Sequence, residues 1–147
     1  MNVVKDEWSA LFKSLEQRVS SSGRRSLLAQ MIGDVVDVTV LNFGESGIAR
    51  PSEWPSLTSK YATEYHDGDQ TPTLILSGAL KEGFVWEISD THAALTNSVE
   101  YADDHQFGDS NRMLPARPYY PVNEDGSEFT PFMEERLLAI VNQHFQV

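Results

Sequence analysis

Trp8, Leu11, Phe12, Leu15 and Val19 recur at steps of three and four, which predicts a helix over about 4–19 with one apolar face. The polar run Ser20 to Gly23 interrupts that period. From Arg24 a wider stripe begins with Leu27, Leu28, Met31, Ile32, Val35 and Val36, leaving Ser26, Gln30, Asp34 and Asp37 as a narrow polar stripe. This predicts a long, mostly buried helix to about Phe43, with Gly44 as its stop. The β-branched segment over 35–41 makes a strand the competing reading there. Residues 44–72 carry glycine, three prolines and many polar groups and predict a long central loop. Loops beyond about 12–15 residues are usually functional or flexible. Trp54, Leu57 and Tyr61 are its candidates for docking, with a short helix near 56–65.

Further on, the apolar run Leu74 to Ser77 ends at Gly78. Phe84, Trp86 and Ile88 alternate with Val85, Glu87 and Ser89, a period of two. Asp90-Thr91 turns the chain, and residues 92–98 return as a hairpin partner. Residues 101–108 fit one or two helical turns, and Asn123 to Gly126 reads as a turn. Thr130 then caps a helix with Pro131 at its first position, and Phe132, Met133, Leu137, Ile140, Val141 and Phe145 form its apolar face. The expected fold is α+β in a single domain over 1–147. Two N-terminal helices and a C-terminal helix pack on a small antiparallel sheet, with the long loop at about 44–72.

A chain of 147 residues buries roughly 68–70% of its unfolded surface, enough for one real core. Cysteine is absent, which excludes disulfides, thiolate metal sites and cysteine nucleophiles and fits a reducing compartment. The first residues lack a basic region followed by an apolar run, so no signal peptide is expected, and no apolar run approaches the ~18 residues of a membrane span. The net charge of −11 repels nucleic acid and anionic membranes. The same charge suits a surface past which DNA slides without sticking.

Two acidic clusters suggest chemistry. His66, Asp67 and Asp69 have ligand types and spacing that fit a metal, and equally an ordinary Asp-Gly turn. Asp103 and Asp104 precede His105, and a carboxylate beside an imidazole is a general-base pattern. Adjacent helical residues face apart, however, so these groups do not converge. The glycines follow neither a phosphate-loop nor a dinucleotide pattern, and no serine sits in a nucleophile elbow. No catalytic residue, metal ligand or cofactor is therefore assigned. The alternatives to a structural role are a small metal-dependent hydrolase using these His and Asp clusters, or a monomeric binding module. Arg24 and Arg25 open a helix, where the macrodipole disfavours cations, so a partner carboxylate or a neighbouring subunit is expected. Arg117 stands between Pro115 and Pro118, which stiffen its backbone and aim the guanidinium at a carboxylate. Tyr119 and Tyr120 beside it offer flat contact area.

Tyr101-Ala102, His105-Gln-Phe107-Gly108 and Pro115-Ala-Arg117-Pro118-Tyr119 stand in an order that resembles the phage virion morphogenesis family, the Mu-like tail completion or head–tail joining neck proteins. Gly23-Arg24-Arg25 at a long helix, Trp54-Pro-Ser-Leu with Lys60 after it, and the run Leu74 to Leu80 are similar to earlier parts of that pattern. The resemblance touches most of residues 23–120. It implies a non-enzymatic structural protein of a tailed phage, assembled in the host cytoplasm and placed at the neck of the virion. Its implied partners are further copies of itself in a homo-oligomeric ring, expected as a hexamer, and the adjoining neck and tail proteins. DNA passes through such a ring without specific binding, and no membrane is involved. The resemblance also implies packing or interface roles for Tyr101, His105, Phe107, Gly108, Pro115, Arg117, Pro118, Tyr119, Trp54, Arg24 and Arg25.

Overall fold

Ser20 alone separates the first two helices. In the computed structural model, which describes residues 3–44, 49–65, 67, 68, 74 and 78–146, α1 spans Val3–Val19 and α2 spans Ser21–Leu41. The break expected over 20–23 is thus one residue long. The Ser20 hydroxyl accepts a hydrogen bond from the Gly23 amide at 3.2 Å, which caps α2 four residues before Arg24. Gly23 then lies against the last turn of α1. A Cβ there would sit 2.4 Å from the carbonyl oxygens of Gln17 and Arg18, so only glycine permits this tight reversal.

The β-branched segment 35–41 is helical. Ile32, Val35 and Val38 fall on one buried face, and tertiary burial overrides local strand preference. Thr39 is wholly buried, yet its hydroxyl donates to the Val35 carbonyl at 2.7 Å and needs no other partner. α2 ends at Leu41, two residues before the expected point, because Asn42 caps it and turns its side chain inward. The Asn42 side-chain amide donates to the Tyr119 carbonyl at 2.9 Å, and its side-chain oxygen accepts from the Ala49 amide at 3.0 Å.

The α+β arrangement is present. After α3 (Ser59–Tyr65) and the single turn α4 (Ala79–Glu82), strands β1 (Phe84–Ile88) and β2 (Ala93–Asn97) form an antiparallel hairpin, with Phe84 opposite Asn97 and Ile88 opposite Ala93. α2 lies against this hairpin, while α1 and α6 (Pro131–Phe145) pack on α2. Trp86 keeps its place in the alternation of β1 but is 55% exposed. Thr130 occupies the N-cap position of α6 without capping it. Its hydroxyl instead donates to the Ala49 carbonyl at 3.5 Å, and Pro131 at the first position removes one of the amides that a helix start leaves unpaired.

Two clusters form the interior. Val35, Val38, Ala49, Met133 and Leu137 join α2 to α6, with Leu95 of β2 against them. Phe43, Leu80, Ala102 and Tyr119 form the second, flanked by Trp54, Phe84 and Tyr120. Among the described residues no helix is long and apolar enough to cross a membrane.

Candidate functional site

The segment 101–121 folds back on itself, and nearly every residue singled out in it has a structural partner. Ala102–Phe107 form α5. Gly108 reverses the chain at φ +77°, where a Cβ would come within 2.9 Å of the Leu114 carbonyl oxygen and the Ala116 amide. The Asp109 and Leu114 backbones exchange two hydrogen bonds of 2.9 Å, closing a short loop whose single turn of 3-10 helix is Ser110–Arg112. Arg112 clamps this loop through the Asp109 carboxylate at 2.6 Å and the Asp104 carboxylate.

The chain then returns over α5 in extended form, as prolines at 115 and 118 require. Since proline has no amide proton, the donors here belong to the residues between and after them. The Arg117 amide donates to the His105 carbonyl at 2.7 Å. The amides of Tyr119 and Tyr120 both donate to the Gln106 side-chain oxygen, at 3.0 and 3.1 Å. The Tyr119 hydroxyl donates to the Ala102 carbonyl at 3.1 Å. His105-Gln-Phe-Gly and Pro115-Ala-Arg-Pro are thus two sides of one junction.

The tryptophan loop completes it. The Trp54 indole donates to the Pro118 carbonyl at 2.8 Å, with the Arg50 guanidinium stacked 3.5 Å from the Trp54 ring centre. Arg117 meets backbone carbonyls where a carboxylate was expected. It is 5% exposed, and its guanidinium donates to the Pro55 carbonyl at 3.0 Å and the Ser56 carbonyl at 3.1 Å. Burial pushes its pKa down. Tyr119 is fully buried and offers no surface in the folded chain; burial drives its pKa upward, and that of Tyr120 rises to about 12. Tyr101 and Phe107 are the motif aromatics that remain substantially exposed.

The acid–base pattern does not assemble. Asp104 pairs with Arg112, and Asp103 is exposed. His105 sits edge-on to the Tyr101 ring at 5.7 Å, and its buried Nδ1 has no partner among the described residues. Burial, then the nearby Arg117 charge, holds the His105 pKa below its ordinary value, so its neutral form is favoured. His105 lines a cavity of about 390 Å³ with Tyr61, Leu80, Tyr101, Asp104 and Arg112. His66 and Asp69 lie outside the described residues. Asp67 and Gly68, both at positive φ, form a turn in which the Gly68 amide donates to the Ala62 carbonyl at 2.9 Å, closing α3. Among the described residues no three His, Asp or Glu side chains are grouped as metal ligands.

Arg24 has its carboxylate within the chain. Its guanidinium donates to the Asp90 backbone carbonyl at 2.9 Å and lies 3.8 Å from the Asp90 carboxylate, which also accepts from the Ser21 hydroxyl at 2.8 Å. These contacts tie the start of α2 to the hairpin turn, while Arg25 is exposed. Asn42, Arg50 and Gln106, which anchor the junction, carry no periodic signal. The one hint for Gln106 is its place between His105 and Phe107 in the short helix. No family model matches the chain, and neither a curated protein nor a solved structure matches it.

Proposed function

We propose that this chain is a non-enzymatic structural subunit of a tailed-phage particle, completing the tail and joining it to the head as a ring of like subunits. One observation carries the reading. The segments that resemble the morphogenesis family are remote in sequence yet bonded to one another, Trp54 to Pro118, Arg117 to Pro55 and Ser56, and Arg117 to His105. Three of the segments that carry the resemblance, the tryptophan loop, the 101–108 stretch and the 115–119 stretch, thus lie in one spatial unit, whose side chains hold a shape. The exposed aromatics Trp86 and Tyr101 offer contact area for neighbouring subunits. The charge of −11 suits a passage that DNA traverses.

Imaging tests this directly. Purified protein, alone and mixed with isolated tails, is expected to show closed rings by negative stain, and heads and tails lacking it are expected to stay apart until it is added. A protein that stays monomeric in both settings, or heads that join tails in its absence, overturns the reading.

A further inference from the structure

We infer that the cavity between α2, β2 and the 120–129 loop is a docking site for a short segment of another protein, carrying a large apolar side chain beside a lysine or arginine. The cavity measures about 280 Å³ and is walled by Ile32, Val35, Leu95, Gln106, Phe107 and Phe129. That is below the roughly 300 Å³ at which small-molecule sites usually begin, and suits a side chain. Phe107 and Phe129 are 55% and 43% exposed, extending the apolar surface outward.

Gln106 is the polar residue of this wall. It is 1% exposed, and its side-chain nitrogen has no partner among the described residues. Reversing the amide does not relieve this. The opposite end accepts from two backbone amides, Tyr119 and Tyr120, so it must be the oxygen. A buried donor left unpaired costs about 1–3 kcal/mol, so the Gln106 side chain is poised to respond when the wall around it rearranges. Charge selects the class of occupant. Glu124, Asp125 and Glu128 are exposed on the same loop that brings Phe129 to the wall. A second copy brings a further −11 towards this rim, whereas a basic segment complements it. The inference is independent of the virion reading.

The probes are acetylated tripeptide amides, lysine–X–lysine with X leucine, methionine or phenylalanine. Glutamate–X–glutamate and lysine–glycine–lysine serve as controls. The Gln106 side-chain amide signal is followed by NMR in the full chain. The apolar basic peptides are expected to move it saturably at roughly millimolar concentration, with the glycine peptide inert and the acidic ones at least about threefold weaker. Ala93→Phe, which fills the cavity from β2, is expected to weaken binding about tenfold or more. The exposed pair Glu124→Lys and Glu128→Lys leaves the core untouched and is expected to remove the preference for basic peptides. The inference is overturned if no apolar peptide moves the signal. It is equally overturned if acidic and basic peptides bind alike, or if the signal moves with protein concentration alone and Ala93→Phe stops it, since a second copy is then the occupant.

Discussion

Between α2 and α6, Val35, Val38, Met133 and Leu137 meet side chain to side chain, each carried on a regular helix. Around Tyr119 the opposite holds. Phe43 from the turn after α2, Leu80 from a single turn, Ala102 from the start of α5 and Tyr119 from an extended segment arrive on separate pieces of chain. Their backbones have few ladders to join, so side chains satisfy them: Gln106 for Tyr119 and Tyr120, Asn42 for Tyr119 and Ala49, Trp54 for Pro118, Arg117 for Pro55 and Ser56. An apolar stripe is enough to build the first cluster. The second requires hydrogen-bonding groups at fixed points, which is why its polar residues are buried.

The comparison is sharpest at its largest effect. Tyr119→Ala removes a fully buried ring that meets Phe43 at 5.3 Å and Phe84 at 5.7 Å, and an expected loss of about 3–5 kcal/mol follows. Met133→Ala in the helical cluster falls in a similar range, about 2–5 kcal/mol. The two separate when only a polar atom is deleted. Tyr119→Phe keeps the ring and loses the hydrogen bond to Ala102, costing about 0.5–1.5 kcal/mol. Denaturant unfolding of the three variants measures this, and a Tyr119→Phe variant as stable as the parent would show that polar anchoring does not place this cluster.

Arg117 comes next, and it sets the interior reading against the intersubunit one. Arg117→Ala leaves the carbonyls of Pro55 and Ser56 without their donor, at a cost of about 1.5–3 kcal/mol. Arg117→Lys recovers only part of this, because a single ammonium does not reproduce the planar fork that reaches both oxygens. Thermal unfolding and ring formation are measured together. A lower melting temperature with rings restored under stabilising conditions fits an interior brace. Unchanged stability with rings lost places Arg117 between subunits and removes it from the contrast.

The same difference decides how much was legible in the sequence. The helical cluster announces itself by period: Ile32, Val35, Met133 and Leu137 stand where a 3.6-residue repeat puts a buried face, and α2, α6 and the hairpin emerge from pattern alone. The junction has no period. Its short helix, 3-10 turn and extended return are too brief to produce one, and Gln106 and Asn42 resemble ordinary surface amides until the fold surrounds them. Stiffness at Pro115 and Pro118 was readable, but the direction of Arg117 was not. That direction depends on the tryptophan loop folding over it, a contact 61 or 62 residues away in sequence. The early end of α2 has the same cause, since Asn42 turns inward to Tyr119 and Ala49 rather than continuing the helix to Phe43.

The smallest expected effect concerns charge in the junction. His105 is half-buried beside Arg117, with Arg112 also lowering its proton affinity and Asp104 opposing them. Its folded pKa therefore lies below the unfolded value of about 6.5. Between the two values the unfolded chain binds more protons than the folded one, so stability rises with pH in that window. The contribution is fully present above about pH 6.5 and is lost as pH falls toward the folded pKa, by no more than about 1.4 kcal/mol per pH unit. The helical cluster has no buried ionisable side chain and contributes no such slope. Comparing the parent with His105→Phe at pH 7.5 and 5.5 isolates the effect, because every other ionisable group is common to both proteins. The parent is expected to lose more stability than the variant on acidification. Equal losses would mean that His105 is protonated as readily in the folded chain as in the unfolded one, with water or rearrangement relieving the charge that burial and Arg117 oppose.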